Sequence, residues 1–326
     1  CVEAEGLCLI GVKVMNEAKK RKIIDAHVHF YDHAQNRHEF LEIEDEMFRA
    51  LIGDYSSLPR RYSFADYQAD APDLEIEGLV WTEFLSTDPV KEMLWAQRVA
   101  DSLPVPVALV GLVDFLAPDL EERLDVYSQC SSMVGVREHL GWDKTNPSRR
   151  FAKRPDLLAD VDWRRGLRVL TKYRFKCSLE VFAPQLAELL TVVQMNPDIQ
   201  FAIAAMGWPL ELDSSGFADW KRDLTTLGAC PNAHIIVSAI ECLFGMSWSV
   251  NQVQPWIDTL FEIFGTGRIM FGSHRPICKL SKTFPNSYGA YGVLTAGHSN
   301  SEQDAVFRGN AARWFLDPLV SLRKPL

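Results

Sequence analysis

The stretch at residues 22–29, KIIDAHVH, places two histidines directly after a short apolar run. Side chains of an extended strand alternate between its faces, so His27 and His29 project to the same side at the carboxyl end of the strand. Two convergent imidazoles are costly to bury unless they bind a metal or transfer a proton. The stretch therefore predicts a buried strand that leads into a reactive site. A surface histidine pair beside a turn is the alternative interpretation.

Seven further apolar runs follow along the chain, and most are separated by amphipathic helical patterns. The predicted strands are 22–28, 78–82, 107–113, 133–136, 176–181, 200–204, 234–239 and 268–272. The predicted helices are 89–103, 118–128, 163–173, 184–195, 217–227 and 250–264. This alternation predicts an α/β fold, a TIM-like (β/α)8 barrel. A doubly wound open sheet is the alternative, but no G-x-G-x-x-G motif follows any of the strands.

The barrel domain is predicted to occupy residues 15–326, and residues 1–14 are expected to be a dispensable leader, because the strand pattern begins only at residue 22. The connection after the first strand, residues 30–77, is long and rich in acidic and aromatic residues. Connections of this length in a compact domain usually cover a binding site. Loops after barrel strands emerge on the face where the chemistry lies, so we expect this loop to form a lid.

The amino-acid composition argues against nucleic acid and membranes as binding partners. The formal net charge is −9, and no basic stripe is present to neutralise nucleic-acid phosphates. No apolar run approaches the ~18 residues needed to cross a bilayer. The seven cysteines are scattered without C-x-x-C spacing, which favours a reducing, cytoplasmic location over a disulfide framework. We expect a small-molecule substrate as the partner and leave homo-oligomerisation open.

Ionisable side chains follow several of the predicted strands. Glu83 follows the second strand, Arg137 the fourth and Glu180 the fifth, and His274 and Arg275 follow the eighth. The carboxyl ends of barrel strands meet at one mouth, so these groups are predicted to form a ring there. Arg137 is suited to clamp a carboxylate or another substrate oxygen, with an ion pair at the rim as the alternative.

Aromatic and other polar residues have simpler interpretations. Trp142 and Trp208 follow strands and are predicted to form apolar walls of the pocket. Arg60 and Arg61 lie in the long loop and are interpreted as a solvated basic pair. The remaining candidates are interpreted as structural residues: His139, His234, His298 and a buried, inert Cys278.

Several motifs together resemble one known family. They are IDAHVHFYD at 24–32, VGVR at 134–137, FAPQL at 182–186, PN at 231–232, MFGS at 270–273 and GNAAR at 309–313. The chain resembles the amidohydrolase superfamily from about residue 22 to residue 315, specifically the amidohydrolase-2 branch with sugar lactonases and 2-pyrone-4,6-dicarboxylate lactonase. The resemblance implies a hydrolase of a small lactone or related cyclic carbonyl substrate, anionic or polyhydroxylated. Some members of the branch need no metal.

The active-site motifs depart from the family pattern at two positions. After the sixth strand the family has Asp-His-Leu, and this chain has AAM at 204–206. After the eighth strand the family has Gly-Ser-Asp-Trp-Pro, and this chain has GSHRP at 272–276. The missing Asp ordinarily activates water, and the missing His binds metal or a substrate oxygen. The resemblance thus implies an atypical site, with catalytic candidates His27, His29, Arg137 and His274 and substrate-binding candidates Glu83, Trp142, Glu180, Trp208 and Arg275.

Three replacements for the missing groups are open. A neutral His274 is itself a suitable general base. Alternatively, His27, His29, His274 and Glu180 form a plausible zinc ligand set. Finally, the site could rearrange a substrate without activating water, as an isomerase, cyclase or lyase of secondary metabolism. We expect no cofactor, with zinc as the alternative, and a non-catalytic pseudoenzyme is a further alternative.

Overall fold

Eight parallel strands form the central sheet. The structure, a computed structural model, describes residues 20–281, 287–317 and 319. The strands pair in chain order, each parallel to the next. They are β1 (Arg21–Val28), β2 (Leu74–Thr82), β3 (Val107–Leu112), β4 (Met133–His139), β5 (Lys176–Glu180), β6 (Phe201–Ile203), β7 (Ala233–Val237) and β8 (Ile269–Phe271). The predicted barrel is confirmed, whereas the predicted leader at 1–14 lies outside the described residues.

The barrel closes where the segment after β8 meets β1. Val28 forms a parallel bridge with Arg275. The His29 amide donates to the Arg275 carbonyl at 2.9 Å, and the His274 amide donates to the His27 carbonyl at 2.8 Å. Closure therefore brings the carboxyl ends of the first and last strands, with their histidines, directly together.

Helices surround the sheet and cover its outer face. They are α1 (Glu46–Ile52), α2 (Phe64–Asp70), α3 (Pro89–Ala100), α4 (Leu120–Ser128), α5 (Val161–Arg168), α6 (Leu170–Tyr173), α7 (Leu186–Met195), α8 (Ser214–Gly228), α9 (Ile240–Phe244), α10 (Val250–Phe264), α11 (Ser287–Leu294) and α12 (Asn300–Asp304). Their starts follow local chemistry: Asp88 caps α3, which has Pro89 in its first turn, and Ser249 caps α10. Within the described part of the chain, no helix is long and apolar enough to span a bilayer.

The long connection after β1 folds over the carboxyl end of the barrel. It contains α1, α2, the 3-10 turn Glu39–Leu41 and a short antiparallel pair of Tyr31–Asp32 with Arg61–Tyr62. Phe48, Leu51 and Ile52 of α1 line the cavity beneath. The predicted lid is therefore present, and its roof is apolar.

Two apolar cores hold the fold together. The larger lies between the sheet and the surrounding helices. The smaller fills the barrel with side chains such as Ile24, Ala26 and Val110, and the carboxyl-terminal segment packs Trp314 and Phe315 against them. Because the interior of the barrel is packed, the free space for chemistry lies only toward the carboxyl mouth.

The pairing of β1 with β2 is irregular between Asp25 and Val28. Ala26 lies in the inner core, and yet His27 and His29 both line the cavity at the mouth. An irregularity of this kind shifts the alternation of a strand and re-aims the side chains that follow it. As a result, the inward-facing side chains of β1 change from apolar residues up to Ala26 to the two histidines at its end.

Closure of the barrel requires a residue without a side chain at Gly272. A Cβ atom there would lie 2.4 Å from the Cβ of His27 and 2.6 Å from its amide nitrogen. We predict that Gly272→Ala lowers the free energy of unfolding by about 1–3 kcal/mol, as overpacking does. Denaturant unfolding followed by circular dichroism measures this change.

Gly267→Ala is the matched control, because a Cβ at that position meets nothing within 4 Å. It should change stability by less than about 0.5 kcal/mol. Equal destabilisation by the two substitutions would contradict the proposed tight closure.

Candidate active site

The carboxyl mouth of the barrel contains a small cavity with a volume of about 50 Å³ beneath the lid. Its polar lining consists of imidazole, guanidinium and carboxylate groups from the strand ends, and the rest of the lining is apolar. The lining residues are His27, His29, Phe48, Leu51, Ile52, Phe84, Leu85, Arg137, His139, Phe151, Glu180, Ala205, Trp208, Ala239, Cys242, His274 and Ile277.

Each of the two histidines of β1 is held by a hydrogen bond at its own Nδ1 atom. The Nδ1 atom of His27 lies 2.7 Å from the hydroxyl of Ser238. The Nδ1 atom of His29 lies 2.9 Å from the carbonyl of Glu83 and 3.0 Å from that of Thr82. Because a carbonyl only accepts, His29 carries its proton on Nδ1. Its Nε2 atom is thereby left with an unprotonated lone pair.

His274 completes a cluster of three imidazoles. Its ring centroid lies 5.0 Å from that of His27 and 5.4 Å from that of His29. Its Nδ1 atom lies 2.6 Å from a carboxylate oxygen of the buried Glu241. All three Nδ1 atoms therefore have partners outside the cluster.

Burial controls the protonation of the β1 histidines. Both are almost fully buried. Burial, together with repulsion from neighbouring imidazoles and Arg137, holds the pKa of His27 and of His29 well below its ordinary value. Neutral imidazole is the form that binds metals or accepts a hydrogen bond. His27, His29 and His274 offer ligand atoms within 4.8 Å of one another and could hold a metal ion.

Arg137 lies beside this cluster and is fixed by two glutamates. Its Nε and Nη2 atoms lie 2.8 Å and 2.7 Å from one oxygen of Glu83. Its Nη1 atom lies 3.7 Å from Glu180 and 3.4 Å from Nε2 of His27. A guanidinium can only donate, so the Nε2 atom of His27 is also unprotonated.

His139 was interpreted from the sequence as a structural residue, but it lines the active-site cavity. Its Nε2 atom lies 3.0 Å from Glu83, and its Nδ1 atom lies 3.1 Å from Glu180. Burial and Arg137 oppose its charge, but the two carboxylates outweigh them and raise the pKa of His139 to about 8. Its spacing of two residues from Arg137 on β4 was the available signal, because such residues share a strand face.

The two glutamates stay ionised as a result. Burial opposes the charge of Glu180, but His139 and Arg137 lower its pKa to about 2. In the same way, Arg137 and His139 overcome burial and hold the pKa of Glu83 well below its ordinary range. The four groups form a buried network in which two positive and two negative charges compensate one another.

Two predicted substrate-binding residues lie away from the cavity. Arg275 is buried beside α2, with its guanidinium 5.6 Å from the ring of Tyr67 and 3.9 Å from Asp70. The chain turns at His274, where φ is +55°, and this turn directs Arg275 away from the cavity. Trp142 stacks on Arg150 at 4.7 Å and does not line the cavity. The expected positive charge and aromatic wall at these positions are therefore corrected.

The other predicted residues fall into two groups. Trp208 lines the cavity, as does Ala205 at the position where the family has histidine. His234 packs against Trp314, and His298 packs against Phe261, both outside the cavity. Three more lie away from it, since Arg60 and Arg61 are exposed and Cys278 is a buried thiol whose pKa is raised to about 12, chiefly by burial.

One residue of the site carried no sequence signal. Glu241 lies in α9, after β7, and its carboxylate reaches His274 across the mouth. No strand-end pattern marks it, because the contact depends on how the chain turns after β7. It forms the negative partner of the third imidazole.

A parallel (β/α)8 barrel with a histidine pair at the end of its first strand is the arrangement expected of the amidohydrolase class of hydrolases. The chain belongs to the amidohydrolase family, whose model matches residues 24–316. It is therefore an enzyme, and its expected membership is confirmed.

The individual relatives have low sequence identity to this chain. The chain is 28% identical over 295 residues to a Sinorhizobium fredii protein named uncharacterized protein y4mH, covering 90% of this chain and 98% of that one. It is 24% identical over 223 residues to an L-fucono-1,5-lactonase of Burkholderia multivorans, covering 65% and 72% respectively. An amidohydrolase structure from Burkholderia multivorans with bound zinc has a TM-score of 0.73 at 20% identity, covering 90% of this chain and 98% of that chain.

The raised pKa of His139 predicts a pH-dependent contribution to stability. Its pKa of about 8 in the folded protein exceeds the ordinary histidine value of 6.5, so the stabilisation is complete below about pH 6.5 and is lost as the pH rises through 8. We predict that His139→Gln removes this dependence, which amounts to about 2 kcal/mol. Urea unfolding between about pH 6 and 9 in the presence of a chelator measures it.

His298→Gln, outside the cavity, serves as the matched control and should keep the wild-type pH dependence. Parallel stability curves for wild type and His139→Gln would show that His139 carries no proton between the glutamates.

Proposed function

We propose that the protein hydrolyses a small lactone or related cyclic ester with the help of a divalent metal, zinc in the first instance, held by His27, His29 and His274. The observation that carries this proposal is the set of three imidazoles whose Nδ1 atoms are all engaged elsewhere. The Nε2 atoms of His29 and His274 remain as donors for one ion, and that of His27 joins them once its 3.4 Å contact with Arg137 Nη1 is given up. The lactonase name of a family relative supports the substrate class.

The surroundings of the three imidazoles fit a metal. Metal-binding histidines usually donate their second ring N–H to a carboxylate, a carbonyl or another polar group. Glu241, the Glu83 carbonyl and Ser238 are partners of these kinds. Three imidazoles leave one tetrahedral position for water or substrate. Zinc is bound in a structure of the same fold, which accords with this set.

Glu180 was a candidate fourth ligand, and we assign it another role. Its Oε1 atom lies 3.1 Å from His139, and its Oε2 atom lies 3.7 Å from Arg137. It lines the cavity in ionised form. We assign Glu180 Oε2 as the acceptor of the proton released by the attacking water, while His139 keeps its own proton on Nδ1, toward Oε1.

Each component then has a distinct task. When bound, the metal polarises the ester carbonyl and favours ionisation of water. Arg137 Nη1, beside His27, donates toward the oxygen on which negative charge develops. The apolar lid of α1 limits access of bulk water to the cavity. Water adds to the carbonyl carbon, the ring C–O bond breaks as Glu180 Oε2 returns the proton to the leaving oxygen, and a hydroxy acid leaves.

A non-hydrolytic reaction is the second candidate. It is favoured by His274, which stands where the family has the aspartate that activates water. An isomerase, cyclase or lyase would use the same imidazoles and Arg137 without adding water to the product. The metal-free site expected from the sequence, with His274 as general base, also stays a prediction.

The remaining expectations form part of this proposal. Because Glu83 and Glu180 compensate Arg137 and His139, an anionic substrate is a weaker expectation than a neutral one. A cytoplasmic location accords with the free thiols of the described cysteines, which are Cys130, Cys177, Cys230, Cys242 and Cys278. A small molecule stays the expected partner, and homo-oligomerisation stays open.

Loss of either β1 histidine should remove the metal. We predict that wild type purified with added zinc retains one equivalent, and that His27→Ala and His29→Ala each lose it. Turnover should then fall by at least about 100-fold. Elemental analysis after gel filtration, paired with activity, measures both quantities.

His234→Ala is the matched control, since His234 packs against Trp314 outside the cavity. It should retain zinc and activity. Zinc-free, fully active wild-type protein would refute the metal part of the proposal while leaving hydrolysis intact.

The source of oxygen in the product separates the two candidate reactions. We predict that a panel of γ- and δ-lactones contains substrates, and that turnover in oxygen-18 water places one labelled oxygen in the carboxylate product. Mass spectrometry detects the label. Product without label would assign a rearrangement or elimination instead.

A further inference from the structure

A second, larger cavity lies beside the active-site cavity. Its volume is about 280 Å³, against about 50 Å³ for the first. The two cavities share three lining residues, Leu85, His139 and Phe151. These residues form the wall between them, so a ligand in the first cavity lies next to the second. We refer to the second as the side cavity.

The backbone of the shared wall is strained at Leu85. Leu85 has a φ of +55°, in the left-handed region that branched side chains rarely adopt. Its amide donates to the buried Glu83 carboxylate at 2.7 Å, and this bond fixes the strained turn. Phe151 packs on the His139 ring with centroids 5.6 Å apart. Two of the three side chains dividing the cavities are therefore apolar, and the third, His139, belongs to the charged network of the site.

Most of the side cavity has an apolar lining. It is formed by Met47 of the lid and by Leu112, Val113, Leu116, Ala152 and Leu157 around the ends of β3 and β4. Most of the ionisable side chains at its edge are paired. Lys153 bonds Asp114 at 2.6 Å, and Glu138 accepts from the indole of Trp163 at 2.7 Å. Arg123 bonds Asp119 through Nη2 at 3.2 Å, and its Nε atom is buried without a partner among the described residues. The surface left for a ligand is thus mainly hydrocarbon, with Arg123 as its polar spot.

The active-site cavity offers hydroxyl groups few free partners. Among the residues described by the structure, no Ser, Thr, Asn, Gln or Tyr side chain lines it. Its imidazole, guanidinium and carboxylate groups are bonded to one another or assigned above to the metal and the ester. Its roof is Phe48, Leu51 and Ile52, with Phe84 and Trp208 alongside. Hydroxyls of a polyhydroxylated ring that face this roof would be buried without partners, which is unfavourable.

From these observations we propose that the substrate is a lactone with a hydrocarbon substituent, whose ring occupies the active-site cavity and whose substituent occupies the side cavity. This inference rests on the proposed lactone hydrolysis and replaces the polyhydroxylated substrate expected from sequence. The chain of the substituent passes between Leu85 and Phe151. Binding of the substituent positions the ring ester against Arg137 and the imidazoles.

The test compares δ-valerolactone with δ-decalactone, which carries a pentyl chain on the same ring. Wild type should have a kcat/KM for δ-decalactone at least about 10-fold higher, because each buried methylene adds to discrimination. Leu116→Trp and Ala152→Phe fill the side cavity and should reduce this ratio by about 10-fold or more. Leu212→Trp, at a residue 42% exposed and outside both cavities, should leave the ratio unchanged.

An unchanged ratio in both folded cavity-filling variants would overturn the side-cavity proposal. If wild type hydrolyses neither lactone, the proposed function fails, and calorimetry with δ-valerolactam and its pentyl-substituted analogue tests the cavity separately. Tighter binding of the pentyl lactam, abolished by Leu116→Trp, would support the side cavity. Equal binding of the two lactams would overturn it.

Discussion

The buried carboxylate of Asp25 is the interaction on which the site depends. One oxygen accepts from the amides of Ser273, at 2.8 Å, and His27, at 3.1 Å, and the other accepts from the Tyr67 hydroxyl at 2.7 Å. It therefore joins β1, the segment after β8 and the lid helix α2. Burial raises the pKa of this carboxyl, and these hydrogen bonds oppose that shift. Together with the backbone bond from the His274 amide to the His27 carbonyl, this junction fixes the separation of the two histidines.

The second constraint is the balance of charge at the mouth. Arg137 and His139 alternate in space with Glu83 and Glu180, so that each charge faces an opposite one. This compensation allows ionised groups to stay buried beside neutral imidazoles. It also places two kinds of group in one small cavity: the lone pairs of neutral imidazoles on one side and ionised carboxylates on the other.

The spacing of apolar residues in the sequence was sufficient to predict the strands and helices, but not every contact between them. Alternating strands and helices predicted the barrel, and the spacing of His27 and His29 predicted their convergence. The same spacing would have identified His139 beside Arg137 had the strand been extended past 136. Arg275 was misplaced because its direction depends on the turn at His274, where φ is +55°. Glu241 could not be predicted, since a contact between loops after different strands has no local pattern.

The central claim is that the three imidazoles form one metal site, and anomalous X-ray diffraction tests it most directly. Crystals of protein loaded with one equivalent of zinc should show a single anomalous peak at the zinc edge. We expect it within about 2.1 Å of the Nε2 atoms of His27, His29 and His274. A peak that excludes either β1 histidine, or no peak at the mouth of the barrel, would contradict the account.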